Sequence, residues 1–213
     1  MEKIITFRNA SIESLMKIVN IKKLINYSKF NEWFSFNYKI SKEEENFIKK
    51  HIELNELYLP FYNEQKLSIR FIGPILNKIN FNFDNILDWY GSEISCKLNG
   101  FLLKGKPDFI VAGGISFPEK PYFFMQEYKK SITPKENPEY SLLAEMLCAI
   151  VLNKTNKIIA SFVIGQYWKF VILEKLENGN YEYFVSYSFD SLKIKDLEQI
   201  YKNLQAVKFL YCK

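Results

Sequence analysis

Gly105-Lys106-Pro107-Asp108-Phe109-Ile110-Val111-Ala112-Gly113-Gly114 leads, through a short loop containing Pro118 and Pro121, into Tyr122-Phe123-Phe124-Met125-Gln126-Glu127-Tyr128-Lys129. A proline can open a strand but not sit in its middle, which leaves Asp108 at the head of a strand whose buried run is Phe109, Ile110 and Val111. Side chains alternate along the second strand, so Glu127 and Lys129 share one face while Gln126 and Tyr128 take the other. Adjacent strands then bring Asp108 and Glu127 together. Two carboxylates so placed raise each other's pKa unless a cation lies between them, and oxygen ligands favour a hard ion such as Mg²⁺, with Mn²⁺ as a substitute. Such a metal lowers the pKa of a bound water and stabilises charge on a phosphate.

The flanking sequence supplies an α/β frame for this pair. Upstream, Asn63 and Glu64 begin a helix carrying Leu67, Phe71, Ile75 and Ile79, with Pro74 expected to kink it. Residues 80–89 read as a connector. Glu93 to Leu98 alternates, Asn99-Gly100 is a two-residue hairpin turn, and Phe101 to Lys104 returns. Gly105 then interrupts the strand, which predicts a bulge or a close approach of backbone. Lys104 and Lys106 flank it, as phosphate contacts or as a solvated face. Downstream, Asn137-Pro138-Glu139 caps a helix to Asn153 with a broad apolar face, and its mid-helix acid, Glu145, is expected at the surface. Lys157 to Ile164 reads as a buried strand, followed by strands over Tyr167–Glu174 and Tyr181–Tyr187 and a helix capped by Asp190 or Ser191. Trp168 and Phe170 share a strand face and read as core.

Pro107-Asp108 followed by Glu127-Tyr128-Lys129 resembles the signature of the PD-(D/E)xK nuclease superfamily. The wider run, Gly-x-Pro-Asp-Phe, Pro-Tyr-Phe, Gln-Glu-Tyr-Lys-Lys and a following Leu-Leu-Ala-Glu-Met helix, is similar to uncharacterised bacterial members of the restriction endonuclease-like fold. The likeness covers roughly residues 60 to 205 and departs from the pattern at Ser141, where the resembling proteins commonly have Gln. It implies a restriction endonuclease-like core, a mixed central β-sheet flanked by helices. It also implies a Mg²⁺-dependent phosphodiesterase acting on nucleic acid, DNA before RNA. Asp108, Glu127 and the Tyr128 carbonyl would hold the metal, and Lys129 would assist the attacking water. By the same resemblance Glu64 is a further acid for the metal, although an acid there also stabilises the positive end of its own helix.

Residues 1–60 read as a mainly helical N-terminal extension to a core over 61–213. Within it, a helix capped by Ser11 spans residues 11–26, and Ser41 with Glu44 forms a capping box. His51, the lone histidine, is expected to face solvent on a lysine-rich helix.

Composition narrows the partners. The chain has 213 residues and a net charge of +5, a balance that tolerates nucleic acid. Its only arginines are Arg8 and Arg70, so base-specific readout through bidentate guanidinium contacts is not expected. Cys96, Cys148 and Cys212 fit neither a zinc spacing nor a disulfide framework, which points to a reducing cytoplasm. No apolar run reaches the length of a membrane span, and the start lacks a signal-peptide pattern. Two other readings stay open at this point. One is a nuclease-fold subunit without turnover, a binding or regulatory partner in a defence system, for instance, that pairs with another subunit or a second copy. The other is a Glu127–Lys129 ion pair within the sheet that requires no function.

Overall fold

The computed structural model describes residues 3–133 and 137–212. In chain order the elements are β1 (Lys3–Thr6), α1 (Ile12–Met16), β2 (Ile21–Leu24), α2 (Asn31–Phe34), α3 (Lys42–Asn55), α4 (Glu64–Leu67), α5 (Gly73–Ile79) and β3 (Ile86–Tyr90). They continue with β4 (Ile94–Leu98), β5 (Phe101–Gly105), β6 (Phe109–Gly113), β7 (Glu119–Lys129), α6 (Pro138–Asn153) and β8 (Lys157–Ile164). The chain closes with β9 (Tyr167–Lys175), β10 (Tyr181–Val185), β11 (Phe189–Asp190) and α7 (Ile194–Ala206).

A large mixed sheet, flanked by helices, runs in the order β2-β10-β9-β8-β7-β6-β3, with β11 beside β9. β7 and β8 pair in parallel, and α6 is the crossover between them. A second sheet of three strands, β1-β5-β4, covers the other side of α6.

The period of two in the strands decides which residue enters which core. Phe109, Val111, Phe124, Tyr128, Val163 and Phe170 pack against α5 and α7, while Ile110, Ala112, Met125, Ala160 and Phe162 pack against α6. Because α6 lies between two sheets, its unbroken run from Leu142 to Ala149 is inaccessible to water. A helix apolar all round is what such a position requires.

Several sequence expectations hold. Asn99 and Gly100 both have positive φ, 47° and 80°, as the two-residue turn between β4 and β5 needs. The capping box of Ser41 with Glu44 is present, and Asn137 caps α6 through Glu139 N–H at 3.0 Å. Trp168 and Phe170 are buried core.

Others are corrected. The helix expected over residues 11–26 ends at Met16, and residues 21–24 form β2, because Ile21 to Leu24 find parallel partners in Tyr181 to Phe184. The connector at 80–89 contains β3, which pairs antiparallel with β6. The hairpin β4–β5 joins the small sheet and leaves β3 as the neighbour of β6. Residues 1–60 carry helices but also lend β1 to one sheet and β2 to the other, and Trp33 packs on Phe124 and Phe170 in the main core. His51 is buried, not solvent-facing: its Nε2 lies 2.9 Å from Phe71 O and its ring stacks between Phe47 and Phe71. Burial lowers its pKa, so it is a neutral core group at neutral pH. α7 starts after Lys193 without a side-chain cap, and its first-turn Asp196 instead accepts from Asp190 N–H at 2.8 Å.

Pro74 does not simply kink its helix. Between α4 and α5 the chain widens into a π-helical turn over Ser68–Ile72, closed by Gly73 N–H bonding to Ser68 O. The ladder thus shifts to i→i−5 immediately before Pro74, which has no N–H to donate.

Candidate active site

Asp108 stands one residue before β6. Antiparallel pairing sets Phe109 across from Gln126, and one further step places Asp108 across from Glu127. The Tyr128 backbone N–H donates to Asp108 Oδ2 at 2.9 Å, which fixes that carboxyl against β7. Lys129 follows Glu127 by two residues on the same face. These side chains open on one cavity of about 420 Å³, whose lining includes Arg8, Glu64, Lys106, Asp108, Glu127, Lys129 and Ser141.

Each wall has its local cause. Glu64 is the first residue of α4 after Asn63, whose side chain accepts from Lys66 N–H at 2.8 Å. That helical stretch is tied to β7 by Ser68 Oγ donating to Tyr128 Oη at 3.2 Å. As a result Glu64 Oε1 reaches Lys129 Nζ at 3.0 Å. On the opposite wall, Gly105 permits close approach: a Cβ there would meet the Phe7 ring at 2.6 Å. Phe7 and Arg8 follow β1, which pairs in parallel with β5, so the start of the chain forms part of the rim.

Of the residues singled out from sequence, Asp108, Glu127, Lys129, Glu64 and Lys106 meet at this cavity. Lys104 is not among its lining residues; it lies in β5 across from Thr6 and Ser95. Glu145 corrects the expectation of a surface acid. It is fully buried on α6, which lies between the two sheets. Its carboxyl lies against that of Glu127, and no N–H or hydroxyl group donates to either of its oxygens. Arg8 and Ser141 also border the cavity. The sequence signals for this face were the family position at Ser141 and the i, i+4 spacing of Ser141 and Glu145.

The electrostatics follow from too many buried acids for too few donors. Burial raises the Glu127 carboxyl to about 7, with the Asp108 charge adding to the rise and contact with Glu145 opposing it. Asp108 is also raised, by burial and by the Glu64 charge, against the pull of the Tyr128 N–H and Lys129. Glu145 is pushed well above the usual carboxylate range by burial and then by Glu127. For Lys129, burial alone would lower the pKa, but the hydrogen bond to Glu64 and the charges of Glu127 and Asp108 outweigh it, and the net shift is upward. The amine is therefore charged at neutral pH.

This donor set suits a hard cation. Asp108 and Glu127 offer oxygen only, and both carboxyls are raised by burial, a cost of charging that a divalent ion between them would relieve. Among the described residues no group of three or more His, Cys, Asp or Glu converges as a metal cage. Two protein carboxylates are enough for Mg²⁺, which keeps several of its waters.

Among the described residues no helix is long and apolar enough to cross a membrane. No family model matches the chain, and no curated protein matches it.

Proposed function

We propose that the chain is a Mg²⁺-dependent nuclease of the PD-(D/E)xK kind, hydrolysing phosphodiester bonds of nucleic acid in the cavity bounded by Asp108, Glu127 and Lys129. The observation that carries this reading is the placement of Asp108 across from Glu127, with the Lys129 amine two residues along the same strand face and all three in one cavity. The element order supports it as well. A helix, the three antiparallel strands β3, β6 and β7 with the β4–β5 hairpin inserted between β3 and β6, the crossover α6 and the parallel β8 match the succession expected of a restriction endonuclease-like core.

In this reading Asp108 and Glu127 would hold the metal, and the Tyr128 carbonyl would be a third ligand. The bound ion would activate water and stabilise charge on the phosphate. Asp108 arrives pre-oriented, because the Tyr128 N–H holds its other oxygen. Lys129 keeps its proton at neutral pH, so it orients the nucleophilic water and offsets negative charge rather than acting as the base. Glu64 steadies that amine, and Lys106 at the rim is placed to meet a phosphate. Purified protein should cut DNA or RNA in Mg²⁺, and Asp108→Ala and Lys129→Ala should each lose about 100-fold or more in rate. Cleavage by either variant at the parent's rate would refute the mechanism.

A further inference from the structure

A second cavity, of about 770 Å³, lies on the far side of the same helical stretch that delivers Glu64. Its lining holds three cations, Lys50, Lys66 and Arg70, and no acid. Tyr58 and Ile69, 60% and 62% exposed, are among its lining residues, and Leu57 and Phe61, 72% and 82% exposed, are the chain neighbours of the lining residues Tyr58 and Tyr62. The floor is rigid. Tyr62 Oη donates to Asn55 Oδ1 at 2.9 Å, Asn55 Nδ2 donates to His51 O at 2.8 Å, and His51 is seated on Phe71.

Exposed rings beside cations without acids have a specific chemical complement. Base faces stack on aromatic rings only when the bases are unpaired, and the accompanying phosphates seek the positive charges. A duplex keeps its base faces inside its own stack and could use only the lysines. The surface also lies close to the acidic cavity. Glu64 faces one cavity and Lys66 and Arg70 the other across a single helix, which with side chains is about 10 Å thick. Phe61 precedes Glu64 by three residues.

We propose that this surface guides an unpaired nucleic-acid strand toward the acidic cavity, with Tyr58 and Phe61 stacking on bases and Lys50, Lys66 and Arg70 holding phosphates. The link to cleavage rests on the nuclease reading, whereas the binding itself does not. It makes single strands, or duplexes with frayed or flapped ends, the preferred substrate class.

The test is fluorescence anisotropy of the parent with a labelled oligodeoxythymidylate and with a duplex of equal length, in EDTA so that nothing is cut. The single strand should bind more tightly. Tyr58→Ala and Phe61→Ala should each weaken it at least about five-fold, the loss of one stacked base. Lys66→Gln and Arg70→Gln should each reduce the salt dependence by about one released ion. Phe117→Ala removes a ring that is 61% exposed at another place on the surface and should change nothing. All these positions are exposed, so circular dichroism should match the parent throughout. Equal affinity across the variants, preference for duplex, or no binding by the parent would overturn the proposal. So would sedimentation showing a dimer that Phe61→Ala dissociates, since a second copy would then be the occupant. Single-strand binding through these residues without cleavage in Mg²⁺ would sink the nuclease reading alone. Cleavage indifferent to them would sink only the surface.

Discussion

Lys129 Nζ lies 3.0 Å from Glu64 Oε1, joining the last residue of β7 to the first residue of α4. The amine is mostly covered and the acid is half exposed, at 13% and 47% of side-chain surface. The pair therefore positions Lys129 more than it stabilises the fold, since partly exposed ion pairs contribute about 0–1 kcal/mol. Glu64→Gln should barely change the melting temperature, yet it should lower the Lys129 pKa and free the amine. Lysine-selective acylation followed by mass spectrometry should show faster modification of Lys129. An unchanged rate would mean that Glu64 does not hold it.

Glu145 is buried against another acid, and no N–H or hydroxyl group donates to it. A buried polar group left without a partner costs about 1–3 kcal/mol. Glu145→Gln keeps the shape, removes the like charge and offers Glu127 an N–H. It should stabilise the protein by about 1 kcal/mol or more in urea unfolding at neutral pH. A destabilised variant would show that Glu145 has a partner essential to the fold.

The gain from Glu145→Gln should also depend on pH, with a sign fixed by linkage. In the folded protein Glu127 titrates near 7 instead of 4.5, and Asp108 and Glu145 are raised too. Between those values the folded state holds protons that the unfolded chain has released, so the cluster's contribution to stability falls as pH rises and levels off above the folded pKa. His51, whose pKa is depressed by burial, works in the opposite sense below its unfolded value of 6.5. Comparing parent with Glu145→Gln cancels the histidine. The advantage of the variant should widen from the acid end of this window to above neutrality, and Mg²⁺ added to the parent should narrow it. An advantage that shrinks as pH rises would contradict the assignment.

Trp33 tests whether the start of the chain belongs to the body of the protein. It is buried, donates from Nε1 to Asn203 O at 2.8 Å, and meets Phe124 and Phe170 edge-on. Trp33→Ala should cost about 3–5 kcal/mol in urea unfolding, and the transition should stay single. A small loss, or a separate early transition, would mean that this region is detachable.

The local sequence settled what local rules govern. Pro107 before Asp108, the alternation from Phe124 to Lys129, Asn99-Gly100, Asn137-Pro138-Glu139 and Ser41 with Glu44 each act through backbone geometry or hydrogen bonds within a few residues, so strand faces, caps and turn appear where their residues dictate. The tertiary structure alone decided what depends on which element lies opposite. Ile21 to Leu24 became a strand because β10 had a free edge, and β3 arose because β6 needed a neighbour. His51 and Glu145 sit on helices whose second side is covered by parts of the chain distant in sequence, and burial of that kind leaves no trace in the periodicity of a single segment. The same physical reason applies to the rim: Arg8 borders the cavity only because β1 pairs with β5, across nearly a hundred residues of intervening chain.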